Sequence, residues 1–113
     1  MRTALVTAAL AAASVSGFAA TPDAARGQAF FTTTHGREWS CASCHTPQPT
    51  QPGRHANTGK AIEPLAPAAN PRRFSDEAKV EKWFRRNCND VLGRECSADE
   101  KADVRAWLAG LKP

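Results

Sequence analysis

Apolar residues recur with helical spacing near the end of the chain. Four of them follow the i, i+3, i+4, i+7 pattern of an amphipathic helix, namely Val104, Trp107, Leu108 and Leu111. In the sequence just before them, Ser97 is followed three positions later by Glu100, the pattern of a capping box at a helix N-terminus. The pattern therefore predicts a helix that begins after Ser97.

Two further helices are indicated upstream. Asp23 can begin a helix that runs to about Phe31, with Gly27 and Phe31 one turn apart on the same face. Residues 75–77, Ser-Asp-Glu, are suited to another helix N-terminus. The apolar stripe that follows them consists of Val80, Trp83 and Phe84. No alternating apolar pattern predicts a strand.

The segment 46–73 separates the first helix from the other two. It contains six of the eight prolines and two glycines, so it cannot form a long helix or a central strand. A loop of this length is unusual in a compact domain unless it is functional or surrounds something. The pattern predicts an all-α fold, with three main helices and long loops around a group that replaces part of the core.

The N-terminus has the layout of a secretory signal peptide. Met1 and Arg2 precede a run of small apolar residues, and Gly17 to Ala19 resemble a cleavage site. A membrane anchor is the alternative, but the run is short and rich in alanine and serine, which gain little in lipid. We expect residues 1–20 to be cleaved, leaving a periplasmic domain at 21–113 without a membrane span.

The sequence from Cys41 to His45, Cys-Ala-Ser-Cys-His, is the strongest chemical signal in the chain. Two thiols three positions apart can each add across a vinyl group of one haem, and the histidine that follows can reach the iron from the same side. A redox dithiol would need a βαβ pattern, and a zinc site would need further nearby ligands. We therefore predict one covalent haem c in a small cytochrome c fold. Its attachment sites would be Cys41 and Cys44, and its proximal iron ligand His45.

The proline-rich loop would then surround the haem. A ligating histidine usually donates its other ring N–H to a backbone carbonyl, and we expect the segment Ile62–Pro67 to supply one to His45. Lys60, Arg72 and Arg73 lie where they could pair with the haem propionates, although ordinary solvated surface charge explains each of them equally well.

The net charge of the chain does not alter these predictions. The formal charge is +4, and loss of Arg2 with the signal peptide gives 4 − 1 = +3. Two propionates would bring the total close to neutral. Because no run of lysine and arginine interleaved with aromatic residues is present, no nucleic-acid partner is predicted.

The sixth iron ligand is the open question. Electron-transfer cytochromes c usually employ methionine, but Met1 is the only one and falls in the predicted signal peptide. His35 lies just before the attachment motif, on the proximal part of the chain. His55 could ligate, pair with a propionate or be solvated. If it ligates in both oxidation states, the protein is a conventional electron-transfer cytochrome c.

Asn87 is the other candidate. It lies seven positions after Val80, only about 20° from that residue's direction on a helix, whereas Asn89 points to the opposite face. Asn87 therefore either faces the distal side of the haem or bonds the local backbone at a helix end. Trp83 and Phe84 would line the haem pocket.

Cys88 and Cys96 are the remaining cysteines. They lie eight positions apart, and Gly93 between them allows the chain to turn, so they can bridge the end of one helix and the start of the next. Such a bridge would staple a small domain, and it would also fix the backbone next to Asn87.

Several segments together resemble the sphaeroides haem protein family of oxygen-binding cytochromes c. They are the CxxCH motif, "RHANTGKAIEPLAP", "NPRRFSDEAKVEKWFRRNC" and "VLGREC", and the similarity extends over about residues 26–111. The resemblance implies that His45 and Asn87 hold the ferric iron and that Cys88 and Cys96 form a disulfide. It implies further that Asn87 detaches on reduction, so that ferrous haem binds O₂ or another diatomic such as NO. A related protein, cytochrome c″, has a histidine in place of the asparagine.

The resemblance also implies partners. Electrons would come from a dihaem cytochrome c and a membrane b-type cytochrome. It leaves open whether the protein is a terminal oxidase or reductase, an electron carrier, or a gas-binding carrier or sensor.

Overall fold

The computed structural model describes residues 4–11 and 21–113. The predicted signal peptide lies largely outside the described residues, and its described part, residues 4–11, is exposed and has no regular secondary structure. In the described ranges, no helix is both long enough and apolar enough to cross a bilayer. Cleavage after about residue 20 stays a prediction.

Four helices and one very small sheet make up the domain, which confirms the predicted helical class. In chain order they are α1 (Ala24–Thr32), α2 (Ala42–His45), β1 (Gly53–Arg54), β2 (Ala61–Ile62), α3 (Glu77–Leu92) and α4 (Ala98–Gly110). Local capping explains where the three long helices begin. The Asp23 carboxylate accepts from the N–H of Arg26, and that of Asp76 accepts from the N–H of Lys79. At α4 the predicted capping box between Ser97 and Glu100 is formed.

The hydrophobic core lies between α1 and α4. Its buried cluster consists of Phe31, Val104, Trp107 and Leu108. The rings of Phe31 and Trp107 are 5.1 Å apart at their centroids and tilted, a favourable aromatic geometry. Gly27 allows the helices to approach closely, because a Cβ atom there would collide with the backbone carbonyl of Asp103 on α4.

A partly buried ion pair fixes the start of α1 to α4. The Asp103 carboxylate accepts hydrogen bonds from Nε of Arg26 at 2.9 Å and from the backbone N–H of Asp23 at 2.8 Å. The bond from Arg26 is the main cause of the lowered pKa of Asp103. Because these residues are 77 to 80 positions apart, the pairing could not be recognised from the sequence.

Polar and covalent contacts join α3 to α4. Glu77 pairs with Arg105 at 2.7 Å, and Glu81 pairs with Lys101 at 2.8 Å. At the other end of α3, the helix ends at Gly93 in the left-handed conformation, and Cys88 is bonded to Cys96. The connection that the sequence allowed between these two cysteines is therefore formed.

A short hairpin interrupts the proline-rich segment. β1 and β2 pair antiparallel, with Gly53 opposite Ile62 and Arg54 opposite Ala61. The sequence predicted no strand here, and the reason is length, because two residues per strand are too few for an alternating pattern. The remainder of segment 46–73 is free of long helices and strands, as predicted.

Trp83 is the most exposed residue of the stripe predicted for α3. Its side chain is 45% exposed, and the Arg86 guanidinium lies 5.2 Å from its ring centroid. The inner face is centred on Phe84, Cys88 and Val91. Because Trp83 is one residue before Phe84, it lies about 100° away around the helix. A place for Trp83 beside a haem stays a prediction.

Candidate haem-binding site

The attachment motif forms one turn of helix. α2 begins directly after Cys41 and ends at His45, whose N–H bonds the carbonyl of Cys41 at 3.0 Å. The Ser43 hydroxyl supports the turn by accepting from the N–H of Ser40 at 3.0 Å. Residues at i, i+3 and i+4 share one face of a helix, so Cys41, Cys44 and His45 are presented together. This is the arrangement that one haem requires for two thioether bonds and a proximal ligand.

The two thiols do not have the properties of a redox pair. Both are free and half-buried. Burial raises the pKa of the Cys41 thiol to about 11, whereas redox-active cysteines have lowered pKa values that favour the thiolate. A zinc site is not supported either, since the described part of the chain contains no cluster of three or more His, Cys, Asp or Glu that could hold a metal.

His45 has the character of a metal ligand. Burial, and secondarily the positive charge of Arg73, lower its pKa to about 4, so the imidazole is neutral at physiological pH and can donate a lone pair. Its Nδ1 atom is buried without a hydrogen-bond partner. A buried polar atom without a hydrogen bond lowers the stability of the folded protein by about 1–3 kcal/mol. Such atoms are rare in ordinary packing and are more typical of functional sites. These residues fit a covalently attached haem.

The hairpin packs against the attachment motif. Gly53 lies so close to the backbone of Cys44 and His45 that a Cβ atom there would collide with the Cys44 carbonyl. The N–H of Ala56 is 3.3 Å from the Cys44 sulfur. Thr46, directly after His45, has a φ of +65°, which turns the chain towards the hairpin. No signal in the sequence revealed this close approach.

The two other histidines are engaged elsewhere. Nδ1 of His55 accepts hydrogen bonds from the backbone N–H groups of Asn57 and Thr58, both at 3.2 Å. His55 thus organises the turn of a hairpin that lies beside the attachment motif. Nε2 of His35 is 2.9 Å from the carbonyl oxygen of Phe30, and the two rings lie against each other.

The three cationic residues predicted near propionates have different surroundings. Arg73 donates from Nε to the Pro64 carbonyl and from Nη2 to the Glu63 carbonyl, both at 3.0 Å. Arg72 is exposed and lies 3.9 Å from the Glu63 carboxylate. Lys60 is exposed just before β2. Propionate contacts by these side chains stay predictions.

The carbonyl expected to accept from His45 is not bonded to it. Pro64 lies in the predicted segment Ile62–Pro67, yet its carbonyl accepts from Arg73, and Nδ1 of His45 has no partner. The expected hydrogen bond from His45 to the segment Ile62–Pro67 stays a prediction.

The two asparagines of α3 differ in their surroundings. Asn87 is half-buried, and Asn89 is exposed. Asn87 is not at a helix end, because α3 continues to Leu92. Among the hydrogen bonds between described residues, none involves the Asn87 side chain, so the alternative in which it bonds the local backbone is not supported. Its amide remains available to a ligand or a metal.

Comparisons with known proteins identify relatives among c-type cytochromes. A family model described as "Domain of unknown function (DUF1924)" matches residues 17–108. The cytochrome c-type protein SHP of Cereibacter sphaeroides is 54% identical over 91 residues, covering 77% of this chain and 70% of SHP. Cytochrome c″ of Methylophilus methylotrophus is 51% identical over 78 residues, which cover 69% of this chain and about half, 54%, of that relative.

Solved structures give the same result. Oxidized SHP, described as an oxygen-binding cytochrome c, superposes with a TM-score of 0.76 at 50% identity, covering 81% of this chain and 85% of SHP. Oxidized cytochrome c″ superposes with a TM-score of 0.72 at 45% identity, and the match covers 81% of this chain and 78% of cytochrome c″. The solution structure of cytochrome c″, described in relation to haem-ligand detachment, gives a TM-score of 0.70 at 43% identity, covering 81% and 77%.

Proposed function

Because this chain belongs to the DUF1924 family and to the c-type cytochrome family of SHP and cytochrome c″, we propose that it is a periplasmic cytochrome that binds a small gas when reduced. Haem c is its cofactor, as the motif from Cys41 to His45 predicted. When bound, the haem supplies an iron that changes oxidation state and can hold a sixth ligand. The functional question is which residue of the chain controls that position.

The proximal half of the site would be built from α2. Cys41 and Cys44 would hold the haem through thioether bonds, and His45 would ligate the iron. The observation that carries this assignment is the common face of the three side chains, together with the lowered pKa of the His45 imidazole. A neutral imidazole needs no proton release before it can ligate.

Asn87 would control the distal position. A carboxamide oxygen is a hard, neutral and weak donor, so it suits ferric iron better than ferrous iron. Reduction would release it and leave room for O₂ or NO, and the freed amide could then donate a hydrogen bond to the gas. The half-burial of Asn87 and the absence of a hydrogen bond to its amide among the described residues support this role. The oxygen binding named for SHP and the ligand detachment named for cytochrome c″ support it as well.

Electrons would come from partner cytochromes. The resemblance to the family implies a dihaem cytochrome c and a membrane b-type cytochrome as donors. With such donors the protein would act either as a terminal oxidase or reductase of its gas, or as an electron carrier or gas carrier. Turnover of O₂ or NO by the reduced protein, measured with a chemical reductant, distinguishes these roles.

The alternative is a conventional electron-transfer cytochrome with His55 as permanent sixth ligand. His55 already accepts two backbone hydrogen bonds through Nδ1, and it lies in the hairpin beside the attachment motif. Ligation through Nε2 is compatible with this turn, so the preference for Asn87 rests on the resemblance to the oxygen-binding family and on the oxygen binding named for SHP.

Optical spectra of the ferric, ferrous and ferrous-CO forms test the proposal. The holoprotein would be produced with haem-maturation machinery and compared with a His55→Ala variant. We expect rapid CO binding to the reduced protein, and the same behaviour in the variant. A reduced protein that does not bind CO, or one that binds it only after His55 is removed, would favour the conventional electron-transfer cytochrome.

A further inference from the structure

The hairpin formed by β1 and β2 contacts the sulfur atom of Cys44. The backbone N–H of Ala56, in the turn of the hairpin, donates to Sγ of Cys44 at 3.3 Å. Sulfur is a weak acceptor, so this bond orients the side chain more than it stabilises the fold. Gly53 on β1 permits the contact, because a Cβ atom there would collide with the Cys44 carbonyl. The hairpin thus touches both the backbone and the sulfur of Cys44.

Cys41, the other cysteine of the attachment motif, has different surroundings. Its side chain is half-buried and packs against the core cluster between α1 and α4. The two cysteines are therefore oriented by different parts of the fold, Cys41 by the core and Cys44 by the hairpin.

His55 shapes the turn that presents the Ala56 N–H. Its Nδ1 atom accepts from the backbone N–H groups of Asn57 and Thr58, both at 3.2 Å. Its own backbone N–H donates across the hairpin to the carbonyl of Lys60 at 2.8 Å. Because His55 directly precedes Ala56, these bonds also set the direction of the Ala56 N–H.

The His55 ring also contacts the segment that leads into the attachment motif. Its centroid lies 6.4 Å from that of Trp39, in an edge-to-face arrangement. Trp39 is two residues before Cys41. The imidazole therefore links the turn of the hairpin to the chain next to the motif.

We propose that Gly53 and His55 are positioning residues for haem attachment, which orient the Cys44 sulfur through the N–H of Ala56. The proposal rests on the proposed function, since it requires haem to be attached at Cys41 and Cys44. In the attachment step the thiol adds across a vinyl double bond. The sulfur bonds to one vinyl carbon, the thiol hydrogen goes to the other, and no group leaves. A sulfur that is already held in place loses less freedom on the way to the transition state, so its addition is faster.

His55→Ala tests the proposal in the holoprotein, with His55→Asn as the conservative variant and His35→Ala as the matched control. Alanine removes the acceptor of the turn, whereas an asparagine side chain can accept from a backbone N–H two residues later. His35 bonds the Phe30 carbonyl of α1, and not the hairpin turn. We expect His55→Ala to raise several-fold the fraction of chains with a free Cys44 thiol. The other two variants should resemble the unmodified protein.

The free thiols can be counted and located. Alkylation with iodoacetamide in denaturant, followed by fragmentation of the tryptic peptide 38–54, distinguishes Cys44 from Cys41. The pyridine haemochrome spectrum is a second measure, because haem that keeps one vinyl group absorbs at a longer wavelength. Gly53→Ala should also free the Cys44 thiol. Gly110→Ala should not, because its Cβ atom would have no neighbour within 4 Å.

Amide hydrogen exchange of the unmodified holoprotein tests the contact itself. Ala56 is exposed, so slow exchange of its N–H requires a bonded acceptor. We expect this protection to be lost in His55→Ala and kept in His55→Asn.

Several results would overturn the proposal. An Ala56 amide that exchanges as fast as in an unstructured peptide would exclude the bond to sulfur. Equal labelling of Cys41 and Cys44 in His55→Ala, or no labelling in either His55→Ala or Gly53→Ala, would exclude selective positioning of Cys44. Incomplete attachment in His55→Asn would exclude the acceptor role of the imidazole. If Gly53→Ala does not fold, the His55 variants decide the point.

Failure of the proposed gas-binding function is a separate outcome. It would be recognised in the unmodified protein as a reduced form that does not bind CO although both thioether bonds are intact.

Discussion

At the scale of single residues, the two asparagines near the end of α3 show how position determines chemistry. Asn87 is half-buried beside the disulfide cysteine Cys88, and Asn89, two residues later, is exposed. Helical geometry separates their directions by about 200°, so only one of them can face an iron on the inner side. The choice between them followed from the sequence, because the spacing from Val80 is a local property of one helix.

We predict that Asn87→Ala leaves the haem attached but changes the ferric spectrum, because the sixth ligand is lost and the iron becomes five-coordinate or takes up water. Asn89→Ala is the matched control and should leave the spectrum nearly unchanged. The absorption spectra of both ferric variants, at equal haem content, provide the test. If Asn89→Ala changes the spectrum and Asn87→Ala does not, the assignment of the ligand is wrong.

Other residues could not be assigned from the sequence. Cys41, Cys44 and His45 form a contiguous motif, so a shared role could be predicted for them from the sequence. Asp103 pairs with Arg26 from 77 positions away, and such a distant pairing leaves no periodic pattern in the chain.

At the scale of elements, the helices that were predicted best are those whose ends carry their own capping residues. The box formed by Ser97 and Glu100 begins α4 through contacts within four residues. The hairpin was missed, because it depends on which other element packs nearby. Tertiary packing, and not local preference, decides such features.

The capping box should make part of the stability depend on pH. The hydrogen bond from Arg94, followed by smaller contributions that include the Ser97 N–H, lowers the pKa of Glu100 to about 2. Because the folded-state pKa lies below the ordinary value of 4.5, the stabilisation is present above pH 4.5 and is lost as the pH falls towards 2. Denaturant unfolding of Glu100→Gln should show a free energy of unfolding below that of the unmodified protein at pH 7, and the difference should shrink across this range.

Glu95→Gln is the control for this change. Glu95 is exposed next to the same arginine, and it is absent from the ion pairs between described residues. It should alter the free energy of unfolding little at any pH. If Glu100→Gln lowers the free energy of unfolding by the same amount at every pH, then hydrogen bonding, and not the charge of Glu100, accounts for the stabilisation by the capping box.

The crossing of α1 and α4 leads to a further prediction. Gly27→Ala places a methyl group against the Asp103 carbonyl, so one helix must shift, and such overpacking typically costs about 1–3 kcal/mol. Gly110→Ala is the control, since its Cβ atom would have no neighbour within 4 Å. Thermal unfolding of the holoproteins should show a clear loss for Gly27→Ala and little change for Gly110→Ala. Equal stability of the two variants would contradict the close crossing.

At the scale of the whole molecule, the protein core is small for the length of the chain. Four side chains form the buried cluster between α1 and α4, and partly buried side chains such as Phe84 and Leu65 pack against it. Domains of this size often need a covalent or bound group to be stable. The haem inferred from the attachment motif would supply that apolar surface.

We predict that the chain without haem loses cooperative unfolding. The double variant Cys41→Ser, Cys44→Ser, expressed without haem maturation, should keep far-ultraviolet helical signal but lack near-ultraviolet signal and a sharp thermal transition. The double variant Cys88→Ala, Cys96→Ala, loaded with haem, is the comparison, and it should still unfold cooperatively at a lower temperature. A sharp transition in the haem-free chain would show that the protein core suffices alone.

The way in which α3 is held has a consequence for amide hydrogen exchange. α1 and α4 enclose the core, whereas α3 is held by ion pairs to α4, by the bond from Cys88 to Cys96 and by the partly buried Phe84 that packs against the core. A helix attached in this way can open as a separate cooperative unit, with a free energy below that of global unfolding. The amides of Glu77–Leu92 should then exchange as a group before those of Ala98–Gly110. The protection of α3 would differ between the ferric and ferrous proteins if Asn87 is its additional attachment.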